Sequence, residues 1–307
     1  MLPEFVIIGA QKSGSTFLQL CLQEHPDIFL PKDEIPFFEN PDYKNSSLGD
    51  LKKYFKNFHD RIKGIKRPNY LAKPEVPKRI QKDLPDAQLI VVLRDPIERA
   101  ISAYFHNIKY GFIPPVPVEE GMRNIINGKY ADEYPRSNEI IEFGYYYKHL
   151  RRYTYYLEKG DLLVLKSSEM FQNKRSTITN VYNFLGVDVN YEPLNTNKRP
   201  QKVVYNINRL KILQSINNNL YEYFDKGKRL RKREMGILDN LKVYSIKVFD
   251  YLIFRHFYSN KKPCISEELY ESLKTMYHKD VQKLSEFTEL DFSDWLRYEG
   301  YKERFSG

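Results

Sequence analysis

Short apolar segments alternate along most of the chain with stretches whose apolar positions recur at helical spacing. We predict strands at residues 4–9, 88–93 and 161–165, and the second of these is a continuous apolar run of the kind buried on both faces of a sheet. A short run at 28–30 and a segment at 64–71 are also predicted to be extended. Strands that alternate with helices in this way indicate a parallel sheet with crossover connections.

Helices are predicted between these strands. The first follows the loop after residue 9 and runs to about His25, where Pro26 ends it. Pro96 fits the first turn of another helix, and Gly186 closes a helix over 177–185. Further helices are predicted at 74–84 and 138–159. We therefore predict an α/β, P-loop-like three-layer fold, with a central parallel sheet flanked by helices and a helical C-terminal appendage.

The chain changes character beyond about residue 200. We predict that residues 205–258 are helical, aromatic and basic, and we interpret the run from Lys226 to Arg233 as a solvated helix face. A final amphipathic helix is predicted from its N-cap Ser266 to Phe287. The predicted domains are an α/β core at 1–200, a basic aromatic insertion at 201–265, and a C-terminal helix at 266–307 that packs back on the core.

The loop after the first strand resembles a phosphate-binding loop with its lysine displaced. Gly9 and Gly14 keep the P-loop glycine spacing, and Thr16 keeps its hydroxyl. Ser15 stands where ATP- and GTP-binding loops carry lysine, and the only lysine of the loop is Lys12. Backbone N–H groups and the helix dipole still favour a phosphate here. We expect a nucleotide other than ATP, although the same residues also fit a simple strand-to-helix turn.

A second candidate anion site follows the apolar run at 88–93. Arg94 comes directly after it, and Ser102 lies two turns into the helix that follows. A planar guanidinium and a hydroxyl can hold one phosphate together. Ligands of parallel sheets lie outside the carboxyl ends of strands, so two anion sites there suggest a nucleotide with two separate phosphate groups. The alternative is a helix start in which Arg94 forms only a surface ion pair.

Glu34 is the candidate general base. It lies between Pro31 and Pro36 and precedes the aromatic pair Phe37 and Phe38, near the exit of the first strand. A carboxylate positioned beside a bound nucleotide can remove the proton from an acceptor group. On its own, the same residue also fits a solvated loop carboxylate.

Composition and charge narrow the classes of protein and partner. The hydrophobic fraction of 41% and the aromatic fraction of 15% exclude a disordered chain. The net charge of +9 indicates an anionic partner: a nucleotide, a nucleic acid, an anionic polysaccharide or an acidic membrane surface. Only two cysteines occur and no apolar run reaches the roughly 20 residues of a membrane span, so we expect a cytoplasmic protein.

Four stretches together resemble the sulfotransferases that use 3′-phosphoadenosine 5′-phosphosulfate, and within them the carbohydrate branch that includes the heparan sulfate sulfotransferases. These stretches are Ile8 to Thr16, Glu34 to Phe38, Lys66 to Tyr70, and Leu89 to Tyr104. Weaker similarities lie at 144–150, 184–186 and 276–295. The residues between 205 and 262 depart from the family pattern.

The resemblance implies roles for particular residues. Those that would hold the 5′-phosphosulfate are Lys12, Ser13, Gly14, Ser15 and Thr16. Those that would hold the 3′-phosphate are Arg94 and Ser102. Glu34 would be the general base, and Lys66 would face the sulfuryl group or the acceptor. A loop that closes over the cofactor is matched by Asn197, Lys198 and Arg199.

The function implied is transfer of a sulfuryl group to a hydroxyl, or less favourably an amine, of a sugar-containing and possibly anionic acceptor. The nucleotide product is adenosine 3′,5′-bisphosphate, and no metal is required. Two alternatives stay open: a P-loop kinase or other NTPase, and a polyanion-binding module whose charge lies at 226–233. Nucleic acid is the disfavoured partner, and residues 248–254 suggest a peripheral membrane contact. Neither the acceptor nor the oligomeric state is indicated.

Overall fold

The computed structural model describes residues 1–58, 60–194, 203–225, 227, 229–236, 243–245, 248, 250, 252, 258 and 260–298. The chain divides into two compact units, each assembled from separate segments. The first unit comprises Met1–Asp95, Tyr145–Gln201 and Asp280–Phe292, and the second comprises Pro96–Gly144, Lys202–Lys279 and Ser293–Gly307. This division differs from the predicted boundaries at residues 200 and 265, because the prediction followed the order of the chain whereas each unit gathers segments that are distant along it.

The first unit contains a five-stranded parallel sheet. Its strands are β1 (Phe5–Gly9), β2 (Ile28–Phe29), β3 (Ile62–Lys66), β4 (Gln88–Leu93) and β5 (Leu162–Lys166). Their spatial order is β2-β3-β1-β4-β5, so β1 lies at the centre between β3 and β4. Every residue of β1 is buried, as the apolar run requires. The predicted α/β fold with a central parallel sheet is confirmed.

Some of the helices lie between these strands in the chain, and others belong to the second unit. They are α1 (Ser15–Glu24), α2 (Leu48–Lys52), α3 (Val76–Asp83), α4 (Pro96–Lys109), α5 (Val118–Ile126), α6 (Glu139–Glu142), α7 (Tyr146–Leu150), α8 (Thr154–Glu158), α9 (Ser167–Gln172), α10 (Lys174–Leu185), α11 (Ile207–Leu220) and α12 (Glu267–Thr288). In the first unit, α1 and α10 pack their apolar residues with β1 and β4 into one buried cluster. No helix within the described residues is both long and apolar enough to cross a membrane.

Two predicted elements are shorter than expected. The extended segment predicted at 64–71 ends at Lys66, because Pro68 has no N–H to continue the ladder, and a 3₁₀ turn follows at Tyr70–Ala72. The single helix predicted at 138–159 is divided into α6, α7 and α8. Gly144 lies at the first break, where an added Cβ would come within 2.7 Å of the Tyr277 ring.

The helical prediction for 205–258 is wrong in its central part. After α11, the second unit forms an antiparallel hairpin of β6 (Tyr221–Phe224) and β7 (Arg229–Lys232). Residues 229–232 of the basic run therefore form a strand and not a helix face. Gly227, with φ 79°, accommodates the turn, and Glu222 pairs with Arg231 across the strands at 3.8 Å. The final helix was predicted correctly: the Leu269 N–H donates to the Ser266 hydroxyl at 3.2 Å, as an N-cap requires.

Candidate active site

The loop between β1 and α1 has a backbone that requires glycine. Gly14 has φ 110°, a conformation that residues with a Cβ rarely adopt. A Cβ at Gly14 would also come within 2.7 Å of the Met170 methyl group. The Ala10 N–H donates to the Val92 carbonyl at 2.8 Å and ties the start of the loop to β4. The loop therefore has a fixed shape at the carboxyl ends of two neighbouring strands.

Hydrogen-bond donors of this loop suit an anion. In the part of the chain that the structure describes, the N–H groups of Gly14, Ser15 and Thr16 donate to no backbone carbonyl. They lie at the positive end of the α1 dipole. Ser13 is only 1% exposed, and its hydroxyl has no hydrogen-bond partner among the described residues. A buried hydroxyl of this kind is stabilised when it bonds a ligand oxygen. The donor set fits a phosphate or phosphosulfate group.

Lys66 connects the loop to the acidic segment. It is the last residue of β3 and lies opposite Ile7 of β1. Its Nζ donates to Thr16 Oγ1 at 3.1 Å and lies 3.3 Å from a carboxylate oxygen of Glu34. The side chain is 2% exposed. Burial lowers the pKa of Lys66 below its ordinary value, and the Glu34 carboxylate opposes part of that shift.

The acidic segment is held on the protein by its backbone. The Gln19 side chain of α1 donates to the Pro31 carbonyl at 2.7 Å, and the Ile35 N–H donates to the Lys66 carbonyl at 3.2 Å. The buried Tyr70 hydroxyl accepts from the Phe38 N–H at 3.1 Å. These bonds fix the backbone on both sides of Glu34. The Glu34 side chain itself is 38% exposed, so an incoming acceptor can reach its carboxylate.

Two functional candidates were missed by the sequence prediction. Arg67 donates from Nη1 to Glu34 at 2.8 Å and from Nε to Glu39 at 2.9 Å. Burial by itself lowers the pKa of Arg67, but the carboxylates of Glu39 and Glu34 outweigh it and raise the pKa. The sequence signal that could have indicated these two residues is their position beside predicted site residues. Arg67 follows Lys66, and Glu39 follows the aromatic pair after Glu34.

The remaining predicted residues are placed as follows. Lys12, in the loop after β1, and Arg94, directly after β4, both follow the carboxyl ends of paired parallel strands. The Arg94 carbonyl accepts from the Tyr146 hydroxyl at 2.8 Å. Ser102 is buried on α4, which belongs to the second unit, so its joint role with Arg94 stays a prediction. The predicted closing loop, residues 197–199, lies outside the described residues.

The anion loop and the lysine-linked carboxylate lie at the carboxyl ends of neighbouring parallel strands, which is where ligands of open α/β sheets bind. The model of the sulfotransferase domain family matches residues 2–236. The chain belongs to the sulfotransferase family, and the predicted family is confirmed.

Curated relatives resemble part of the chain. A human bifunctional heparan sulfate N-deacetylase/N-sulfotransferase 2 is 30% identical over 200 residues, which cover 61% of this chain and 22% of the relative. A mouse heparan sulfate glucosamine 3-O-sulfotransferase 3A1 is 30% identical over 187 residues, which cover 61% of this chain and 46% of the relative. This chain thus spans less than half the length of either relative.

The fold also matches a solved structure. The crystal structure of a sulfotransferase from Alicyclobacillus acidocaldarius has a TM-score of 0.66 and 20% sequence identity, and the match covers 97% of this chain and 100% of that one. At this identity the likeness concerns the fold alone.

Proposed function

We propose that this protein transfers a sulfuryl group from 3′-phosphoadenosine 5′-phosphosulfate to a hydroxyl of a carbohydrate-containing acceptor, an amine being the second choice. The observation that carries the proposal is the position of Lys66. Its buried ammonium contacts both the hydroxyl of Thr16 in the anion loop and the carboxylate of Glu34. The anion loop, which would bind the donor, and Glu34, which can accept a proton, are thereby held together at the carboxyl ends of β1 and β3.

The chain's own residues divide the work of binding. The Ser13 hydroxyl and the free N–H groups at the start of α1 would hold the 5′-phosphosulfate. Lys12 would neutralise the charge that develops on the departing phosphate, because it belongs to the same loop. Arg94 and Ser102 would hold the 3′-phosphate, as the family resemblance implies. When bound, the nucleotide supplies the sulfuryl group and leaves as adenosine 3′,5′-bisphosphate.

Glu34 would act as the general base. Its exposed carboxylate accepts the proton of the acceptor hydroxyl, while the acceptor oxygen forms its new bond to sulfur and the bond from sulfur to the phosphate oxygen breaks. The electron pair of the broken bond remains on the departing nucleotide. Lys66, whose Nζ lies 3.3 Å from the carboxylate, helps to keep it oriented until the acceptor arrives. In-line positioning and charge neutralisation are the main requirements of such transfers.

The alternative of a P-loop kinase or NTPase is less well supported. Ser15 occupies the position of the P-loop lysine, and Arg94 follows β4 where a kinase or ATPase would carry an acidic magnesium ligand. A sulfuryl group carries less negative charge than a phosphoryl group, so lysines such as Lys12 and Lys66 can supply the neutralisation. The net charge of +9 supports an anionic acceptor.

Incubation of the purified protein with ³⁵S-labelled donor and a panel of acceptors tests this proposal. The panel contains heparan sulfate, chondroitin, neutral oligosaccharides, glycolipids and simple alcohols. We expect label in a carbohydrate acceptor, and a rate of labelling about 100-fold or more lower with Glu34→Gln. Magnesium-dependent ATP turnover without any sulfuryl transfer would support the kinase alternative and contradict the proposal.

A further inference from the structure

One guanidinium joins two carboxylates beside the anion loop. Arg67 directly follows β3, and its N–H donates to the Ile7 carbonyl at 3.0 Å, so its backbone is fixed by the sheet. From this position its side chain reaches Glu34 with Nη1 at 2.8 Å and Glu39 with Nε at 2.9 Å. A second nitrogen, Nη2, also donates to Glu39. The planar fork thus contacts the two carboxylates with different nitrogen atoms.

The two carboxylates differ in exposure. The Glu39 side chain is 5% exposed, whereas that of Glu34 is 38% exposed. A buried carboxylate with two donors from one guanidinium is a rigid anchor, because burial strengthens its interactions and packing limits its rotamers. An exposed glutamate without such an anchor would sample several rotamers. Because Glu39 holds the Arg67 guanidinium in place, Arg67 limits the orientations that the Glu34 side chain can adopt.

Each oxygen of Glu34 has its own cation. Lys66 Nζ lies 3.3 Å from Oε1, and Arg67 Nη1 donates to Oε2 at 2.8 Å. We propose that Arg67, anchored on Glu39, is a positioning residue that sets the orientation in which Glu34 meets the acceptor hydroxyl. This inference rests on the proposed function. A carboxylate has about four lone-pair sites, so the two cations leave room for a proton to be accepted.

An arginine is required for this role. Lysine would keep the positive charge, but its single ammonium lacks the planar fork with which the guanidinium contacts two carboxylates at once. The substitution Arg67→Lys therefore separates charge from geometry. Misplacement of a reacting group by about 1 Å costs on the order of 100-fold in rate. We expect Arg67→Lys to lower kcat about 10- to 100-fold with the acceptor that takes label, and to leave the Kd of adenosine 3′,5′-bisphosphate within about twofold.

A double substitution distinguishes positioning from a general structural role. If Arg67 acts through Glu34, then Arg67→Lys has no further effect in the Glu34→Gln background, because the group that it positions has lost its function. Glu39→Gln should reproduce the loss of kcat more weakly, and its effect should not add to that of Arg67→Lys. The matched control is Arg61→Lys, the same substitution at the exposed residue just before β3.

Three results are informative. If the wild-type protein is active and neither Arg67→Lys nor Glu39→Gln changes that activity, the inference is overturned and the proposed function stands. An equal loss from Arg67→Lys in the wild-type and Glu34→Gln backgrounds would also overturn it, since the effect would not pass through Glu34. If the wild-type protein transfers label to no acceptor, the proposed function itself fails, and the inference fails with it. Thermal unfolding of each variant identifies any that do not fold.

Discussion

Lys66 shows how burial and charge combine at a single residue. Its ammonium is almost fully removed from water, which lowers its pKa, and the Glu34 carboxylate compensates part of that cost. The Lys66 ammonium also donates to the Thr16 hydroxyl at 3.1 Å, so an anion bound at that hydroxyl would add a second negative partner close to it. The residue is therefore placed to respond to donor binding, whereas an exposed lysine would be screened by solvent.

Glu34→Gln keeps the shape of the side chain and removes its ability to accept a proton. We expect kcat to fall about 100- to 10,000-fold, as for loss of a general base, with little change in donor affinity because the loop residues remain. Steady-state assays with the labelled donor and calorimetric titration of the donor measure the two quantities. Equal kcat values for Glu34→Gln and wild type would exclude the base role.

Lys12→Ala should affect turnover more than donor binding. Negative charge develops on the departing phosphate during transfer, so a loop cation contributes more to the transition state than to the bound donor. We expect a loss of about 100-fold or more in kcat. A weakened donor Kd with kcat unchanged would show instead that Lys12 acts equally on both states.

The site residues differ in how far the sequence could predict them. Lys12, Glu34 and Lys66 lie in motifs with local spacing, and the structure brings the last two together. Arg67 and Glu39 were not predicted, because their pairing joins positions 28 residues apart and no local pattern encodes it. Side chains that meet across a loop and a strand end are specified by the fold.

The anion loop is the element that depends most on its backbone. Gly14→Ala should lower nucleotide affinity and stability together, since the new Cβ would be strained at φ 110° and would meet Met170. Gly128→Ala is the matched control: Gly128 has φ 71°, and no atom lies within 4 Å of the added Cβ. The control should cost about 1–2 kcal/mol of stability without loss of nucleotide binding. Nucleotide titration and thermal unfolding give both readouts, and unchanged affinity in Gly14→Ala would contradict the role of the loop.

The start of α12 is held by a carboxylate. Glu119 accepts from the Ser266 hydroxyl at 2.6 Å and from Arg123 at 2.8 Å. Burial alone would raise the pKa of Glu119, but the hydrogen bonds from Ser266 and Arg123 outweigh it and place the pKa below the ordinary value of 4.5. The stability that this carboxylate contributes is therefore present above pH 4.5 and lost as the pH falls through its lower, folded-state pKa.

Glu119→Gln should lower the free energy of unfolding at pH 7. The substitution should have less effect as the pH falls through the folded-state pKa of Glu119. Because the site is partly exposed, we expect at most about 1 kcal/mol. Thermal unfolding at pH 7 and at decreasing pH, compared with wild type, measures the difference. A difference that stays constant with pH would show that the charge of Glu119 contributes nothing.

Elements with a local signal were predicted and those without one were not. β4 and α12 follow from a continuous apolar run and from a capped amphipathic pattern. The β6–β7 hairpin was predicted as helix because the basic run has little apolar alternation. Its position depends on a non-local contact, in which the Tyr223 hydroxyl donates to the Tyr110 carbonyl at 2.6 Å. Such a contact has no signature near the strand itself.

The fold class of the whole chain was predictable because alternating strands and helices restrict a chain of this size to few arrangements. The division into two compact units could not be predicted in this way, because each unit combines three segments of the chain. The second segment of the first unit begins at Tyr145 and supplies β5, which pairs with β4. Sequence order alone does not reveal which distant segments share a core.

The affinity of the complete protein for adenosine 3′,5′-bisphosphate, compared with AMP by calorimetry, tests most directly the claim that it is built to bind a doubly phosphorylated donor. Each charge-assisted phosphate contact contributes roughly 1.5–3 kcal/mol, and about 1.4 kcal/mol corresponds to a tenfold change in Kd. We therefore predict that the bisphosphate binds at least about tenfold more tightly than AMP. Equal Kd values for the two nucleotides would contradict the account.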